Sequence, residues 1–228
     1  MTMNLDQKRS LVAYLKQFVT ESRRDKIEQL ARERTRYVTP VLEDPYHAHN
    51  ISAVLRTVEC LGAHDVHIIE ERNPYSVTNG VAKGAGKWLN LHRYGNAGQN
   101  NTAACLQQLR NDGYRIVATA PTTNAYTPET LPIDNKMALI FGTEIVGLTE
   151  ESFNYADMTL AIPMYGFTQS FNISVSSAMC MYTVMQRVRN SEHAWQLSQA
   201  ERLDVELSWL RSTINRVASY EHAFFAQQ

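Results

Sequence analysis

Two polar residues, Ser170 and Asn172, stand where the chain changes character. Met158 to Ile162 is apolar and short, which reads as a strand, and Pro163 then removes the donor that another ladder bond would need. Gly166 lets the following loop turn, and the run from Ser170 to Met179 has no breaker and reads as the start of a helix. Side chains at such a handover lie beside backbone N–H groups with no partner inside the helix, so Ser170 and Asn172 are candidates for binding and orienting a ligand. A second helix is expected to open at Asn50, a good N-cap residue. Its buried stripe is Ile51, Val54, Leu55, Val58 and Leu61, and Gly62 closes it. Arg56 lies about 140° round the helical wheel from Ile51 and points away from that stripe. An arginine in that position is either a solvated surface charge or a clamp for phosphate and developing negative charge.

Other constellations fail on spacing. Lys83-Gly84-Ala85-Gly86-Lys87 resembles a phosphate loop, but Val81 occupies the position of its first glycine and Trp88 that of its Ser or Thr. It reads as a structural turn. No G-x-G-x-x-G follows a strand. His47-Ala48-His49 offers two imidazoles with no carboxylate or cysteine at metal spacing, so no metal is expected. Ser170 lacks a G-x-S-x-G setting, which disfavours hydrolysis. Cys60, Cys105 and Cys180 are far apart on apolar helical patterns and read as small core residues in a reducing compartment.

The elements that would position these groups alternate. Residues 4 to 34 read as one amphipathic helix, and Tyr37 to Leu42 as a strand. Strands are expected at Val66 to Glu70, near Trp88 to Tyr94, at Tyr114 to Ala120 and at Met137 to Gly142. Helices are expected near residue 77, at Asn101 to Asp112 and at Glu150 to Tyr155. Strand and helix in turn predict an α/β fold: a mostly parallel sheet with helices on both faces. Ligands of such sheets bind beyond the carboxyl ends of the strands. From about Ser198 a last long helix carries Leu203, Leu207, Leu210, Ile214 and Val217 at heptad spacing.

The domain reading is a helical extension over 1–35, a central domain over 36–190 and a second helical extension over 191–228. With 44% hydrophobic and 20% charged residues in 228, the chain is of ordinary soluble composition. It has no apolar run long enough for a membrane span and no secretory signal, so a cytoplasmic location is expected. Net charge is −1, yet residues 1–36 carry nine basic against five acidic residues, a local basic arm.

Three segments in order resemble the TrmH-like 2′-O-ribose methyltransferases of the SPOUT class. Asn50-Ile51-Ser52-Ala53-Val54-Leu55-Arg56-Thr57 is similar to that family's N-x-x-A-x-x-R-T. Phe141 to Leu148 contains its G-x-E-x-x-G-L, and Ile162-Pro163-Met164 through Ser170-Phe171-Asn172-Ile173-Ser174 is similar to its I-P-M…S-L-N-V-S. Phe171 and Ile173 replace Leu and Val with similar apolar volume. His47-Ala48-His49 stands where relatives often carry a Lys-Pro-His type of approach.

The resemblance implies a deep C-terminal trefoil knot, a homodimer, an RNA substrate and S-adenosylmethionine as methyl donor. It further implies that Thr119, Ile162 and Phe171 contact the cofactor, that Gly142 and Met164 shape the pocket and that Glu144 orders its loop. Arg56, Asn50, Ser170 and Asn172 are then the catalytic set. A guanidinium stays protonated, so Arg56 is expected to clamp a phosphate and the 2′-oxygen rather than act as a base. Within the family the helical ends are similar to the branch that methylates the D-loop guanosine (position 18) of tRNA. A ribosomal RNA methyltransferase and a non-catalytic RNA-binding protein are the alternatives.

Overall fold

Strand β1 (Val38–Glu43) is buried along its whole length, as expected of a central strand covered on both faces. In the computed structural model, which describes residues 3–73, 84–143 and 146–226, it lies near the middle of a six-stranded sheet. The other strands are β2 (Asp65–Ile69), β3 (Asn90–Tyr94), β4 (Arg115–Thr119), β5 (Met137–Phe141) and β6 (Met158–Leu160). They run in the order β3-β2-β1-β5-β4-β6 with every pairing parallel. The expected α/β architecture is therefore present.

Period-two alternation sorts the core into two layers. Val38 and Leu42 of β1 and Met137, Leu139 and Phe141 of β5 face one layer, which includes Ile51, Val54, Leu55 and Val58 of α3 (Ala48–Leu61) and Met181, Val184 and Val188 of α6 (Ile173–Arg189). Val41, Ala138 and Ile140 face the other, against Cys105, Leu106 and Leu109 of α4 (Asn101–Asn111), with Tyr155 of α5 (Glu150–Tyr155) alongside. Alternation of strand and helix is incomplete, because no helix lies between β4 and β5.

Pro40 occupies the interior of β1, where a donor is missing. Asp44 N–H donates to the Ile69 carbonyl at 2.8 Å. Because donors alternate along a parallel ladder, the one aimed at the Asp65 carbonyl would belong to Pro40. Thr39 Oγ1 donates to that carbonyl instead, at 2.8 Å, and keeps a buried acceptor satisfied.

Several boundaries differ from the sequence reading. The long first helix is two, α1 (Leu5–Leu15) and α2 (Glu21–Arg32), because Thr20 accepts from Arg23 N–H and caps a fresh start. Asn50 is not an N-cap: α3 begins at Ala48, and Asn50 is buried in its first turn. Helix α6 begins at Ile173 rather than Ser170, with Asn172 as its cap. The heptad seam also breaks. Helix α7 (Gln199–Thr213) ends before Ile214, and Arg216, at φ +55°, turns the chain into α8 (Val217–Phe225). Its buried face is Val205, Leu207, Trp209 and Leu210, wider than a two-helix seam. Cys60 is exposed, whereas Cys105 and Cys180 are buried. The helix expected near residue 77 falls partly in 74–83, outside the described residues.

The chain divides into two units. Arg36–Trp195 holds the sheet. Met1–Thr35 and Gln196–Gln228 together hold α1, α2, α7 and α8, where Lys16 pairs with Glu28 and Glu206 and the Arg34 guanidinium lies over the Trp209 ring.

Candidate functional site

The carboxyl ends of β4, β5 and β6 open into a cavity of about 450 Å³. Its walls include Thr119, Gly142, Ile162, Met164, Ser170 and Phe171, six of the residues singled out from the sequence. The size suits a nucleoside-sized ligand, and the lining mixes apolar side chains with the polar Thr119, Thr143, Gln169, Ser170 and Ser176, enough to hold and orient one. Thr119 Oγ1 donates to the Ile140 carbonyl at 2.6 Å, so the hydroxyl is spent on joining β4 to β5 and its oxygen remains an acceptor. At the cavity wall the Cys180 thiol is pushed up to about 12 by burial, with the Glu129 carboxylate adding to the rise. It is a protonated, inert wall group.

Glycine is required at 142 for a steric reason. A Cβ there would lie 2.3 Å from the backbone carbonyl of Gly147. The loop returns that closely because Thr143 and Gly147 exchange backbone hydrogen bonds at 3.1 and 3.0 Å, and Gly147 adopts φ +74°. Glu144 lies outside the described residues.

Asn172 joins the cavity rim to α3. Its side-chain oxygen accepts from Ser174 N–H at 2.9 Å, and its Nδ2 donates to Asn50 Oδ1 at 3.3 Å. Asn50 and Asn172 thus meet where the N-termini of α3 and α6 adjoin, and Ser170, two residues before Asn172, lines the cavity. Arg56 is not gathered with them: it is exposed, forms no ion pair or hydrogen bond among the described residues and lines no wall of this cavity. Six residues of helix place it about 9 Å further along α3.

Glu43 escaped the sequence reading. Buried at the end of β1, it accepts from Thr149 N–H at 2.9 Å, Thr149 Oγ1 at 2.7 Å and Ser152 Oγ at 2.6 Å, and so pins the start of α5 behind the Gly142–Gly147 loop. Its only sequence signal was an acidic residue ending an apolar strand.

A twisted parallel sheet with a cavity beyond its strand ends, rimmed by polar helix N-termini, defines the α/β class whose ligands bind at that edge. The SpoU rRNA Methylase family model matches residues 37–182, and the chain belongs to that family. It is 40% identical over 92% of its length to a tRNA (guanosine(18)-2'-O)-methyltransferase of Borreliella burgdorferi, of which the match covers 94%. An enzyme of the same name from Thermus thermophilus is 31% identical, over 84% of this chain and 97% of that one. The crystal structure of the A. aeolicus TrmH/SpoU tRNA modifying enzyme superposes with a TM-score of 0.74 over 86% of this chain and 98% of that one, at 23% identity, and shares its fold.

Proposed function

We propose that this chain transfers the methyl group of S-adenosylmethionine to the ribose 2′-hydroxyl of the D-loop guanosine at position 18 of tRNA, and that it works as a cytoplasmic homodimer with a knotted C-terminal path. The observation that carries the substrate is the reach of the similarity. The match to the Borreliella burgdorferi tRNA enzyme covers 92% of this chain, well beyond residues 37–182 that the methylase family model matches.

Bound S-adenosylmethionine supplies an electrophilic methyl group on a sulfonium. The chain's own residues fit it: Ile162, Met164 and Phe171 supply apolar wall, the glycine at 142 lets the 142–147 loop close tightly and so shape the pocket, and Thr119 presents an acceptor. Glu144 is proposed to order the loop between Gly142 and Gly147. Asn50 and Asn172, tied to each other, and Ser170 on the rim orient the ribose so that its 2′-oxygen is in line with the methyl group. Arg56 clamps the neighbouring phosphate and the developing 2′-oxyanion, and the proton leaves to phosphate or water.

Val175, Met179 and Tyr182 are exposed on α6 at spacings of four and three, an apolar stripe on the helix that packs against the Arg56-bearing α3. Covering that face with a second copy accounts for an arginine that lies off the cavity of its own chain. Incubation with methyl-labelled S-adenosylmethionine and a tRNA transcript, followed by nucleoside mapping, is expected to yield 2′-O-methylguanosine at position 18. Label on a base, or only in ribosomal RNA, overturns the assignment.

A further inference from the structure

We infer that a second cavity, beside the one just described, receives the guanine base of the nucleotide being methylated, and that Glu71 reads its N1–H and N2 amino edge. The inference rests on the proposed methylation of a guanosine and adds the residue that recognises the base.

The second cavity is about 690 Å³ and lies beyond the ends of β1 and β2, at the starts of α4 and α5. Thr143, Val146 and Gly147 line both cavities, so the loop closed on Gly142 is their common wall. A narrow notch lined by Tyr46, His47, Asn50 and Ile173 shares Ile173 with the first cavity and Tyr46 and His47 with the second. The Asn50–Asn172 hydrogen bond lies at this junction. A ribose oriented there has one cavity on its reactive side and the other within reach of its base.

The chemistry of the second cavity does not suit phosphate. Glu43, Asp44, Glu71 and Glu151 line it, with Arg72 as the cationic counterpart and His47 at the margin. Two of the four carboxylates are committed to the fold. Glu43 holds α5, and Asp44, at φ +49°, accepts from Arg72 N–H and Asn73 N–H at 2.8 Å each. Glu151 accepts from the Asn100 side-chain amide through both oxygens. Glu71 is different: Oε1 accepts from Thr102 N–H at 2.9 Å at the start of α4, while Oε2 has no donor among the described residues. One oxygen fixes the carboxylate, and the residue is exposed, which leaves the second oxygen's lone pairs open to N–H donors. Guanine offers such a pair on one edge, and adenine and the pyrimidines do not. Arg72, whose guanidinium is unpaired among the described residues, lines the same cavity and is assigned to the O6 and N7 acceptors. Tyr46, two-thirds exposed, supplies a ring face for stacking.

Glu71→Gln tests this with little structural cost, since the amide oxygen can still accept from Thr102 N–H while the NH₂ meets the base as a second donor. Methylation kinetics are measured for tRNA carrying guanosine or inosine at position 18, alongside S-adenosylmethionine affinity and melting temperature. For the unaltered protein, inosine, lacking the N2 amino group, is expected to lower kcat/KM by about tenfold or more. In Glu71→Gln the rate on guanosine falls by about tenfold to a hundredfold, and the preference for guanosine over inosine disappears, with cofactor affinity unchanged. An unchanged guanosine-to-inosine ratio in Glu71→Gln overturns the inference while the methyltransferase reading stands. Failure of the unaltered protein to methylate guanosine 18 at all overturns that reading, and this one with it.

Discussion

Asn172 carries three duties: it caps α6, donates to Asn50 and stands next to the cavity rim. Asn172→Ala is expected to lower the methylation rate on the order of a hundredfold or more, because a misplaced reacting group costs that much. The lost cap costs only about 1 kcal/mol of stability. Single-turnover rates compared with denaturant melts separate the two, and a rate that falls no further than stability explains would reduce Asn172 to a cap. Gly142→Ala places a methyl group within 2.3 Å of the Gly147 carbonyl, so the loop must open. Calorimetric titration with S-adenosylmethionine is expected to show binding weakened by tenfold or more, on the principle that ångström-scale displacement is expensive at a preorganised site. Both residues were legible in the sequence as parts of recurring motifs. Glu43 was not, because Thr102, Thr149 and Ser152 lie 59 to 109 positions away and nothing local says that they converge on it.

The strand next to the sheet's edge holds a buried histidine whose titration sets a pH limit. His67 of β2 stacks on His92 of β3 with ring centroids 4.4 Å apart, and its pKa is lowered to about 4, first by burial and then by the neighbouring His92, against the opposing pull of Asp65 and Asp112. Its folded pKa is below the unfolded value, so the unfolded chain takes up the proton first. Stability is full above about pH 6.5 and is lost as pH falls towards 4. Urea melts are expected to show a loss of about 2 kcal/mol between pH 7 and pH 5, and His67→Phe should flatten that slope. On the other side of β2, Thr39→Val strips the Asp65 carbonyl of the hydroxyl donor that bridges the Pro40 gap and should cost about 1–3 kcal/mol, read as a shifted urea midpoint at constant slope. Strand and helix identities were legible from period and breakers. Helix starts were less so, because Asn50 has the chemistry of a cap and is instead held inside the first turn of α3.

The helical unit formed by the two ends of the chain neutralises part of its own basic charge. Lys8 pairs with Asp204, Arg9 with Asp6 and Lys16 with Glu28 and Glu206. On α2, Arg23, Lys26 and Arg32 are exposed and have no ion pair among the described residues. If they follow tRNA phosphates, replacing all three with alanine should flatten the dependence of log K on log salt by roughly 2 to 3. Filter binding across a salt series measures this, and an unchanged slope would remove α2 from the RNA path. The basic excess was countable in the sequence, but which charges are already paired depended on α7 supplying Asp204 and Glu206 from the far end of the chain.

By itself the sequence determined what is local or periodic: the parallel α/β pattern, the glycines at 142 and 147, the polar Ser170–Asn172 corner and the motifs that placed the chain in its family. Short-range sterics and side-chain periodicity impose these whatever surrounds them. Tertiary structure decided what depends on convergence: Asn50 meeting Asn172, Glu43 gathering α4 and α5, Arg56 left off the cavity, and a second cavity behind the shared loop. Those contacts join residues tens to more than a hundred positions apart, and only the packing of helices on the sheet brings them within hydrogen-bond reach.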